Sequence, residues 1–196
     1  MLTSKFYKDL VSKKCLEMVL VRRYSRSAAS KTVTSKFASE VGGTLSQQGP
    51  VVGAFASCHH SFTQEATNDF AALCGDNNPL HTNPEFAGTT MFGGPIVHGI
   101  LVSSLFSTLF GRSLHGSIYV SQTFSFKRPV YVGSSIRAQI EILTIEKKRK
   151  GHLITCSTNA FTENRNGDGK EEALAISGEA KCLLPFEAYP DVQASV

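Results

Sequence analysis

The sequence predicts an α+β fold in which a single antiparallel β-sheet wraps around a central buried α-helix. Residues 96–110 are apolar on nearly every helical face, which is typical of a helix buried on all sides. The chain after this helix contains four segments in which apolar and polar residues alternate as they do in strands. One sheet packed on one helix satisfies both patterns, and a length of 196 residues suits one domain.

The elements before the central helix are a strand and two short helices. Residues 54–62 are apolar with a polar far end and predict a strand. Thr63 can accept a hydrogen bond from the first turn of a helix, where Glu65 favours the positive end of the helix dipole. This helix is predicted to end near Gly75, and a second short helix is predicted to begin near Pro84.

The central helix has clear sequence boundaries. Gly93 and Gly94 break the chain, Pro95 suits the first helical turn, and Gly111 is predicted to end the helix. The apolar run is shorter than the roughly 20 residues that cross a bilayer, and serines and His98 interrupt it. The sequence therefore predicts a core helix and no membrane span.

The four strands after the helix are predicted to form an antiparallel meander. Charged residues at 147–151 predict a turn, and the Asn-Gly and Asp-Gly pairs within 163–170 predict a hairpin. The predicted strands are residues 117–126, 136–146, 153–161 and 173–184.

The basic charge of the chain is confined to its N-terminus. Residues 1–24 hold six basic and two acidic groups, whereas the rest of the chain holds 14 of each. Residues 25–196 carry no net charge and so have no positive field to attract a nucleic acid. Nucleic-acid binding is therefore not expected. A basic, loosely amphipathic start followed by Ser and Ala is typical of a mitochondrial transit peptide, with cleavage expected after Tyr24.

The predicted organisation follows from this boundary, and the expected compartment is the mitochondrial matrix. The segments are a transit peptide at 1–24, a linker at 25–52, one domain at 53–187 and a C-terminal tail at 188–196. The five cysteines have neither CxxC nor metal-ligand spacing, and the adjacent His59 and His60 would point to opposite faces of a strand. We therefore expect isolated buried thiols and no metal.

The segment with the strongest chemical content is the polar turn at residues 75–81, which lies between apolar segments. Pro79 disfavours the helical conformation of the preceding Asn78, so the turn is predicted to be irregular. It places Asp76 and His81 five residues apart, where a carboxylate and an imidazole can share one water or one substrate hydroxyl. Partial burial would make the carboxylate a stronger base. Spacing alone leaves a structural role open for both side chains.

A second candidate feature is the start of the central helix at Pro95-Ile-Val-His-Gly99. The first N–H groups of a helix lack internal acceptors and lie at the positive end of its dipole, and Gly99 would let a carbonyl oxygen approach them. His98 is expected to be a hydrogen-bonding residue at the helix start. Ser107 lies farther along the helix and is expected near the pocket.

These motifs resemble those of a known family. The pattern Phe70-x-x-Leu-x-Gly-Asp-x-Asn-Pro-Leu-His81, followed by Pro95-Ile-Val-His-Gly99, is similar to the hydratase motif of the MaoC-like (R)-specific enoyl-CoA hydratases. The later segments Gly116-Ser-Ile-Tyr119 and Phe124-x-Phe-x-x-Pro-Val130 also resemble that family, so the similarity extends over about residues 54–185. The resemblance implies the hot-dog fold.

The resemblance also implies roles for the site residues. Asp76 and His81 would form the catalytic pair, Gly99 would donate its N–H to the thioester carbonyl, Asn78 would shape the turn, and Ser107 would lie at the pocket. Asn78 and His98 are also expected among the pocket residues. No cofactor is implied, because the proton and the hydroxide both come from the substrate. Which member of the pair removes the C2 proton is not determined by the sequence.

The predicted reaction is the (R)-specific, syn interconversion of trans-2-enoyl and 3-hydroxyacyl thioesters carried by acyl carrier protein or CoA. A single unit of this kind with a mitochondrial leader resembles the mitochondrial 3-hydroxyacyl-thioester dehydratases of the family. The presence of only one such unit in the chain implies a homodimer, with the acyl tunnel near the subunit contact. The basic residues Lys127, Arg128 and 147–150 are candidates for contact with the carrier.

Two other functions remain open from the sequence. Many thioesterases with the hot-dog fold place a carboxylate on the buried helix, but residues 96–110 contain no Asp or Glu, which counts against this activity. A non-enzymatic dimer that binds acyl chains is the second alternative, and it predicts that Asp76→Asn leaves the function unchanged.

Overall fold

The computed structural model describes residues 40–163 and 172–192. The predicted transit peptide, residues 25–39 of the predicted linker and residues 193–196 of the predicted tail lie outside this range. Most of the loop at 163–170 also lies outside it. The strands on either side of that loop pair from Glu163 and Glu172 onward, as the hairpin prediction requires.

The sheet contains six antiparallel strands in the described part of the chain, in the order β1-β4-β5-β6-β2, with β3 also paired to β6. The predicted meander is therefore correct for β4, β5 and β6 but wrong for β2, which pairs with β6 at the far edge and not with β4. Alternation within a strand identifies the strand but not its neighbour. The strands are β1 Phe55–His60, β2 Ile118–Gln122, β3 Ser125–Phe126, β4 Ile136–Lys148, β5 Gly151–Glu163 and β6 Glu172–Pro185.

The helices of the described chain lie mainly between β1 and β2. In α2 the predicted caps are present, since the Thr63 hydroxyl accepts the N–H of Ala66 and Gly75 has a φ of 84°. None of the described helices is long and apolar enough to cross a membrane. The helices are α1 Leu45–Gln48, α2 Gln64–Cys74, α3 Pro79–Thr82, α4 Pro84–Gly88 and α5 Gly99–Ser113.

The segment predicted to be an irregular turn contains the short helix α3. Pro79 occupies the first helical position, where its missing N–H and fixed φ are favourable. Asn78 stays extended, with ψ of 127°, and its side chain accepts the N–H of Leu80. The expected effect of proline on Asn78 is thus confirmed, but the same proline starts a new helical turn.

The central helix α5 begins and ends three residues later than predicted. Pro95 does not start it, because the chain at 95–97 pairs with the chain at 130–132. Val97 donates its N–H to Val130, and Val132 donates to Pro95. His98 is still extended, and the helix begins at Gly99. Gly111 lies inside the helix, which continues to Ser113.

One face of α5 forms the centre of the core, and the opposite face is exposed. Val102, Leu105, Phe106, Leu109 and Phe110 are buried, and the helix contacts β4, β1 and β5. The exposed face carries Ile100, Ser104, Ser107 and Gly111. The expectation of burial on every side is therefore wrong for the single chain, because the sheet covers only one side of the helix.

The core extends along the sheet and into the segment predicted to be a linker. Alternate residues of β4 are buried as far as Ile142, where a register shift lets Leu143 face solvent and buries Ile145. Upstream of β1, Leu45 is only 1% exposed and belongs to the core. Gly42 pairs with Ser57 of β1, so this part of the segment packs on the domain.

The described cysteines are free thiols. Cys58, Cys156 and Cys182 are buried, as expected, whereas Cys74 at the end of α2 is exposed. Burial raises the pKa of Cys58 and Cys156 and raises that of Cys182 to about 12, so these thiols stay protonated at neutral pH. They are inert core residues.

Candidate active site

The turn that carries Asp76 and His81 is fastened to the extended segment before α5 by three hydrogen bonds. The N–H of Ile96 donates to the carbonyl of Leu80 at 3.2 Å. The His81 ring bonds the carbonyl of Ile96 at 2.8 Å, and the His98 ring bonds the carbonyl of Asp76 at 3.0 Å. Two stretches that are far apart in sequence therefore form one rigid unit.

Asp76 lies in an Asx-type turn on the surface of the single chain. Its Oδ1 accepts the N–H of Asn78 at 3.3 Å, which fixes the carboxylate relative to the turn. Its side chain is 56% exposed, so the partial burial that would make the carboxylate a stronger base is not found in one chain. Asn78 is also exposed and acts as the N-cap of α3, as its predicted role in shaping the turn requires.

His81 has a defined orientation and one unused nitrogen. Because a carbonyl can only accept, the bond to Ile96 places the proton of a neutral His81 ring on Nδ1. The lone pair of Nε2 is then available to a substrate. The Gln64 amide donates to the His81 carbonyl at 2.7 Å and to Asn68 at 2.9 Å, so α2 also supports this residue.

His98 is the buried member of the group, with 3% exposure. Its Nε2 lies 3.0 Å from the Asp76 carbonyl oxygen and 3.9 Å from the Asp76 carboxylate. Its ring centroid lies 3.8 Å from that of His81, and Phe70 contacts it edge-on at 5.1 Å. The prediction of a hydrogen-bonding residue at the helix start therefore agrees with its geometry.

An open, mainly apolar cleft of about 400 Å³ lies beside His81 and the start of α5. Gly99 lines it, and its N–H has no acceptor within the helix. The space left by the missing side chain of Gly99 is filled by the Phe126 ring, which would lie 2.5 Å from a Cβ at this position. The other lining residues are Phe92, Ile96, Val97, Ile100, Val102, Lys127, Arg128, Pro129, Val130 and Ile176.

The structure therefore brings together some of the predicted site residues and separates others. His81 and Gly99 line the cleft, and Asp76 and His98 each place a candidate ligand atom within 4.8 Å of one of His81. Ser107 lies on the exposed face of α5 and does not line the cleft of the single chain. Lys127 and Arg128 stand at the cleft, whereas the basic turn at 147–150 does not reach it.

The same cluster contains side chains of the types that bind metal ions. Among the described residues, Asp76, His81 and His98 have candidate ligand atoms within 4.8 Å of one another. However, His98 uses Nε2 to donate to a backbone carbonyl, and its Nδ1 is enclosed by protein. One imidazole and one carboxylate remain, which is fewer than the three or four protein ligands of zinc sites. The donor set does not suit a resident metal.

Two contributors to the site carry no recognisable sequence pattern. Gln64 reaches His81 from 17 residues upstream. Phe126 belongs to a segment that resembles the family, but nothing in its spacing indicates contact with Gly99. Both contacts arise from the packing of separate elements, so periodicity and motif spacing cannot reveal them.

The family model described as MaoC like domain matches residues 25–164, which is more than half of the chain. The chain belongs to the MaoC-like family. The resemblance deduced from the sequence motifs is thereby confirmed.

Relatives of this MaoC-like chain include bacterial and plant enzymes. It is 42% identical over 143 residues to the (R)-specific enoyl-CoA hydratase of Aeromonas caviae, covering 72% of this chain and 100% of that relative. It is 33% identical over 167 residues to the mitochondrial 3-hydroxyacyl-[acyl-carrier-protein] dehydratase of Arabidopsis thaliana, covering 85% of this chain and 87% of that relative.

A solved structure supports the same assignment. The (R)-hydratase from A. caviae involved in PHA biosynthesis aligns with 70% of this chain and 99% of its own, with 44% identity and a TM-score of 0.62. The predicted hot-dog fold of the MaoC-like chain is confirmed. Because its relatives at 33% to 42% identity are hydratases and dehydratases, the predicted class of hydro-lyase is confirmed as well.

Proposed function

We propose that this MaoC-like protein interconverts trans-2-enoyl and (R)-3-hydroxyacyl thioesters by syn addition and elimination of water. The observation that carries the proposal is the placement of His81, whose Nδ1 is bonded to Ile96 and whose Nε2 is therefore left for a substrate. His81 lines the same cleft as Gly99 at the start of α5, and one of its ring nitrogens lies within 4.8 Å of an Asp76 carboxylate oxygen. An acid/base pair beside a carbonyl-binding helix start is the arrangement that this reaction needs.

The pair Asp76 and His81 handles the proton. In the dehydration direction, Nε2 of His81 takes the proton from C2, and the C–H electrons form the C2=C3 double bond as the C3–O bond breaks. The Asp76 carboxylate accepts a hydrogen bond from the 3-hydroxyl, and the His81 imidazolium gives the C2 proton to the departing hydroxide, which leaves as water. Hydration is the reverse sequence, so the protein returns to its starting protonation state.

The start of α5 stabilises the negative charge that develops on the thioester oxygen. The N–H of Gly99 lies at the positive end of a 15-residue helix, and Gly99 lines the cleft. Donors fixed before the reaction stabilise an enolate-like oxygen without reorganisation. The apolar wall formed by Phe126, Val130 and Ile176 suits the acyl chain.

The proposed carrier is acyl carrier protein, and the proposed setting is mitochondrial fatty-acid synthesis. Two relatives named as mitochondrial 3-hydroxyacyl-[acyl-carrier-protein] dehydratases, from Arabidopsis thaliana and Solanum lycopersicum, support this setting. The basic residues at 1–24 support import into the matrix. The full chain tagged at its C-terminus should enter mitochondria, and the same chain without residues 1–24 should not.

A homodimer is the proposed assembly. The exposed side of α5 with Ile100, together with Val120 at the sheet edge and Phe126 at the cleft, leaves apolar side chains uncovered in one chain. Apolar surface of this kind marks an interaction site. Because Ile100 and Phe126 also line the cleft, a second copy on this face would help to close it.

Substitution of the catalytic pair tests the reaction. Asp76→Asn and His81→Ala should each lower kcat for enoyl-CoA hydration by about 10²- to 10⁴-fold, because each removes an acid/base group. Asp69→Asn and His115→Ala are matched controls, since both side chains are exposed and neither lines the cleft. The proposal is supported if the control variants keep the wild-type kcat while the two site variants lose it. Site variants that retain wild-type kcat would overturn it.

A further inference from the structure

We propose that His98 is a positioning residue that sets the relative placement of the three proposed catalytic groups, Asp76, His81 and Gly99. The proposal rests on the proposed hydratase function. It concerns a residue that does not line the cleft itself but contacts or adjoins each group that acts there.

The first contact holds the turn of Asp76. Since the Asp76 carbonyl can only accept, the 3.0 Å bond requires a proton on Nε2 of His98. The same nitrogen lies 3.9 Å from the carboxylate of Asp76. Asp76 is otherwise on an exposed turn, so this bond from a buried ring is its main anchor to the body of the domain among the described contacts.

The second contact holds the His81 ring. The ring centroids of His98 and His81 lie 3.8 Å apart with the rings tilted by 30°, so the two rings are in close contact. Phe70 of α2 also contacts the His98 ring, with centroids 5.1 Å apart and an angle of 65°. The ring of His98 therefore contacts both α2 and His81, and it limits the directions in which Nε2 of His81 can point.

The third link is through the backbone. His98 is the N-cap of α5, its carbonyl accepts the N–H of Val102 at 3.1 Å, and the next residue is Gly99. A shift of the His98 ring would therefore move the first N–H of the helix relative to Asp76 and His81. One buried side chain thus connects the acid/base pair to the carbonyl-binding site.

The second ring nitrogen of His98, Nδ1, shows that packing alone does not explain a histidine at this position. Nδ1 is buried and has no hydrogen-bond partner in the structure. A buried polar atom without a partner is unfavourable, and a phenylalanine ring would fill much of the same space without it. The Nε2 donor to Asp76 is the feature that phenylalanine could not supply.

Two substitutions separate the donor from the ring. His98→Phe keeps an aromatic ring against His81 and Phe70 but removes the donor to Asp76. His98→Gln removes the ring but places an amide N–H donor near the former position of Nε2. His152→Phe is the matched control, because His152 is 4% exposed, also has an unpartnered Nδ1, and contacts only Phe186 among described aromatic rings.

Each variant has an expected effect on catalysis. His98→Phe should lower kcat by about 10- to 100-fold with KM changed less than about threefold, because a small misplacement of reacting groups has this effect. His98→Gln should recover a large part of the loss. His152→Phe should keep wild-type kcat. Wild-type kcat in folded His98→Phe, or a Gln variant as slow as the Phe variant, would overturn the positioning role.

A double-mutant cycle tests whether His98 acts through Asp76. His98→Phe made in the Asp76→Asn background should cause less than about a threefold further loss, because coupled residues are not additive. A fully multiplicative loss would contradict the proposal, since it would indicate an effect that is independent of the Asp76 turn.

A nuclear magnetic resonance measurement distinguishes this proposal from the proposed function. Long-range ¹H–¹⁵N spectra of the wild type should show His98 with its proton on Nε2. An active wild type with the proton on Nδ1 would overturn the positioning role alone. An inactive wild type with the proton on Nε2 would overturn the proposed function. The bond from His98 to the Asp76 carbonyl would then have no role in catalysis.

Discussion

At the scale of single residues, backbone carbonyls determine what each imidazole of the site can do. The Ile96 carbonyl accepts a hydrogen bond from Nδ1 of His81, which leaves Nε2 of that ring unprotonated, whereas the Asp76 backbone carbonyl accepts a hydrogen bond from Nε2 of His98. The two rings are in close contact, yet their hydrogen bonds leave them for different tasks. In the proposed mechanism His81 transfers the proton and His98 positions its neighbours.

Asn78 offers a test at this scale. Its side chain caps α3 and its N–H fixes the Asp76 carboxylate, so Asn78→Ala should cost about 1 kcal/mol of stability and also disturb the turn. We expect kcat to fall about tenfold or more because the acid/base pair is displaced. Urea unfolding and steady-state kinetics measure the two effects.

Asn83→Ala is the control for this change. Asn83 also precedes a proline, is exposed, and caps a short helix by accepting the N–H of Phe86 at 3.0 Å. Asn83→Ala should lower the free energy of unfolding by about as much as Asn78→Ala does, but it should keep the wild-type kcat. If both variants lose kcat equally, the effect arises from general loosening of the helices and the account of Asn78 is incorrect.

The sequence could predict that Asp76 and His81 lie close together, because both belong to one short motif. The roles of His98 in the Asp76 bond and of Gln64 in supporting His81 could not be predicted, because both depend on contacts between separate elements. The exposure of Asp76 was also not predictable, since it reflects which surfaces remain uncovered in one chain.

At the scale of elements, the start of α5 is the feature that joins fold and site. Pairing of 95–97 with 130–132 delays the helix until Gly99, and so places its first N–H at the cleft. The sequence predicted the helix and its apolar character but not this start. A strand-like pairing with a distant segment competes with local helix preference and wins at the helix end.

Gly99→Ala tests the importance of that start. A Cβ would lie 2.5 Å from the Phe126 ring, so the ring must move into the cleft or away from it. We expect kcat/KM to fall at least about tenfold, with a loss of about 1–3 kcal/mol in stability from overpacking. Adding Phe126→Val should restore part of the stability.

Gly111→Ala is the control in the same helix. No atom of the same chain lies within 4 Å of a Cβ at Gly111, so this change should avoid the clash that Gly99→Ala introduces and should stabilise the helix by up to about 1 kcal/mol. Wild-type catalysis and stability in Gly99→Ala would show that close packing of Phe126 on the helix start is unimportant.

At the scale of the whole molecule, the exposed apolar surface is the main feature that one chain leaves unexplained. Strand β2 lies at the edge of the sheet, and all three of Ile118, Tyr119 and Val120 are exposed there. An uncovered edge strand with apolar side chains favours pairing with a second chain. Strand alternation predicted the existence of β2, but its edge position depends on the order of the whole sheet.

Val120→Glu should separate the proposed homodimer. A charge on this edge opposes its burial, so we expect a monomer by light scattering and reduced hydratase activity. Val52→Glu is the control, because Val52 is 52% exposed and Val120 is 56% exposed, but Val52 precedes β1 at the opposite edge of the sheet. A wild type that is monomeric at high concentration would contradict the proposed assembly.

The most direct test of the central claim is the configuration of the product formed from a trans-2-enoyl thioester in D₂O. Syn hydration by one acid/base pair predicts a single 3-hydroxyacyl thioester, with the R configuration at C3 and deuterium added at C2 on the same face as the hydroxyl. Chiral chromatography and NMR of the product determine both centres. Release of free thiol without hydration would indicate a thioesterase, and an S or anti product would contradict the proposed mechanism.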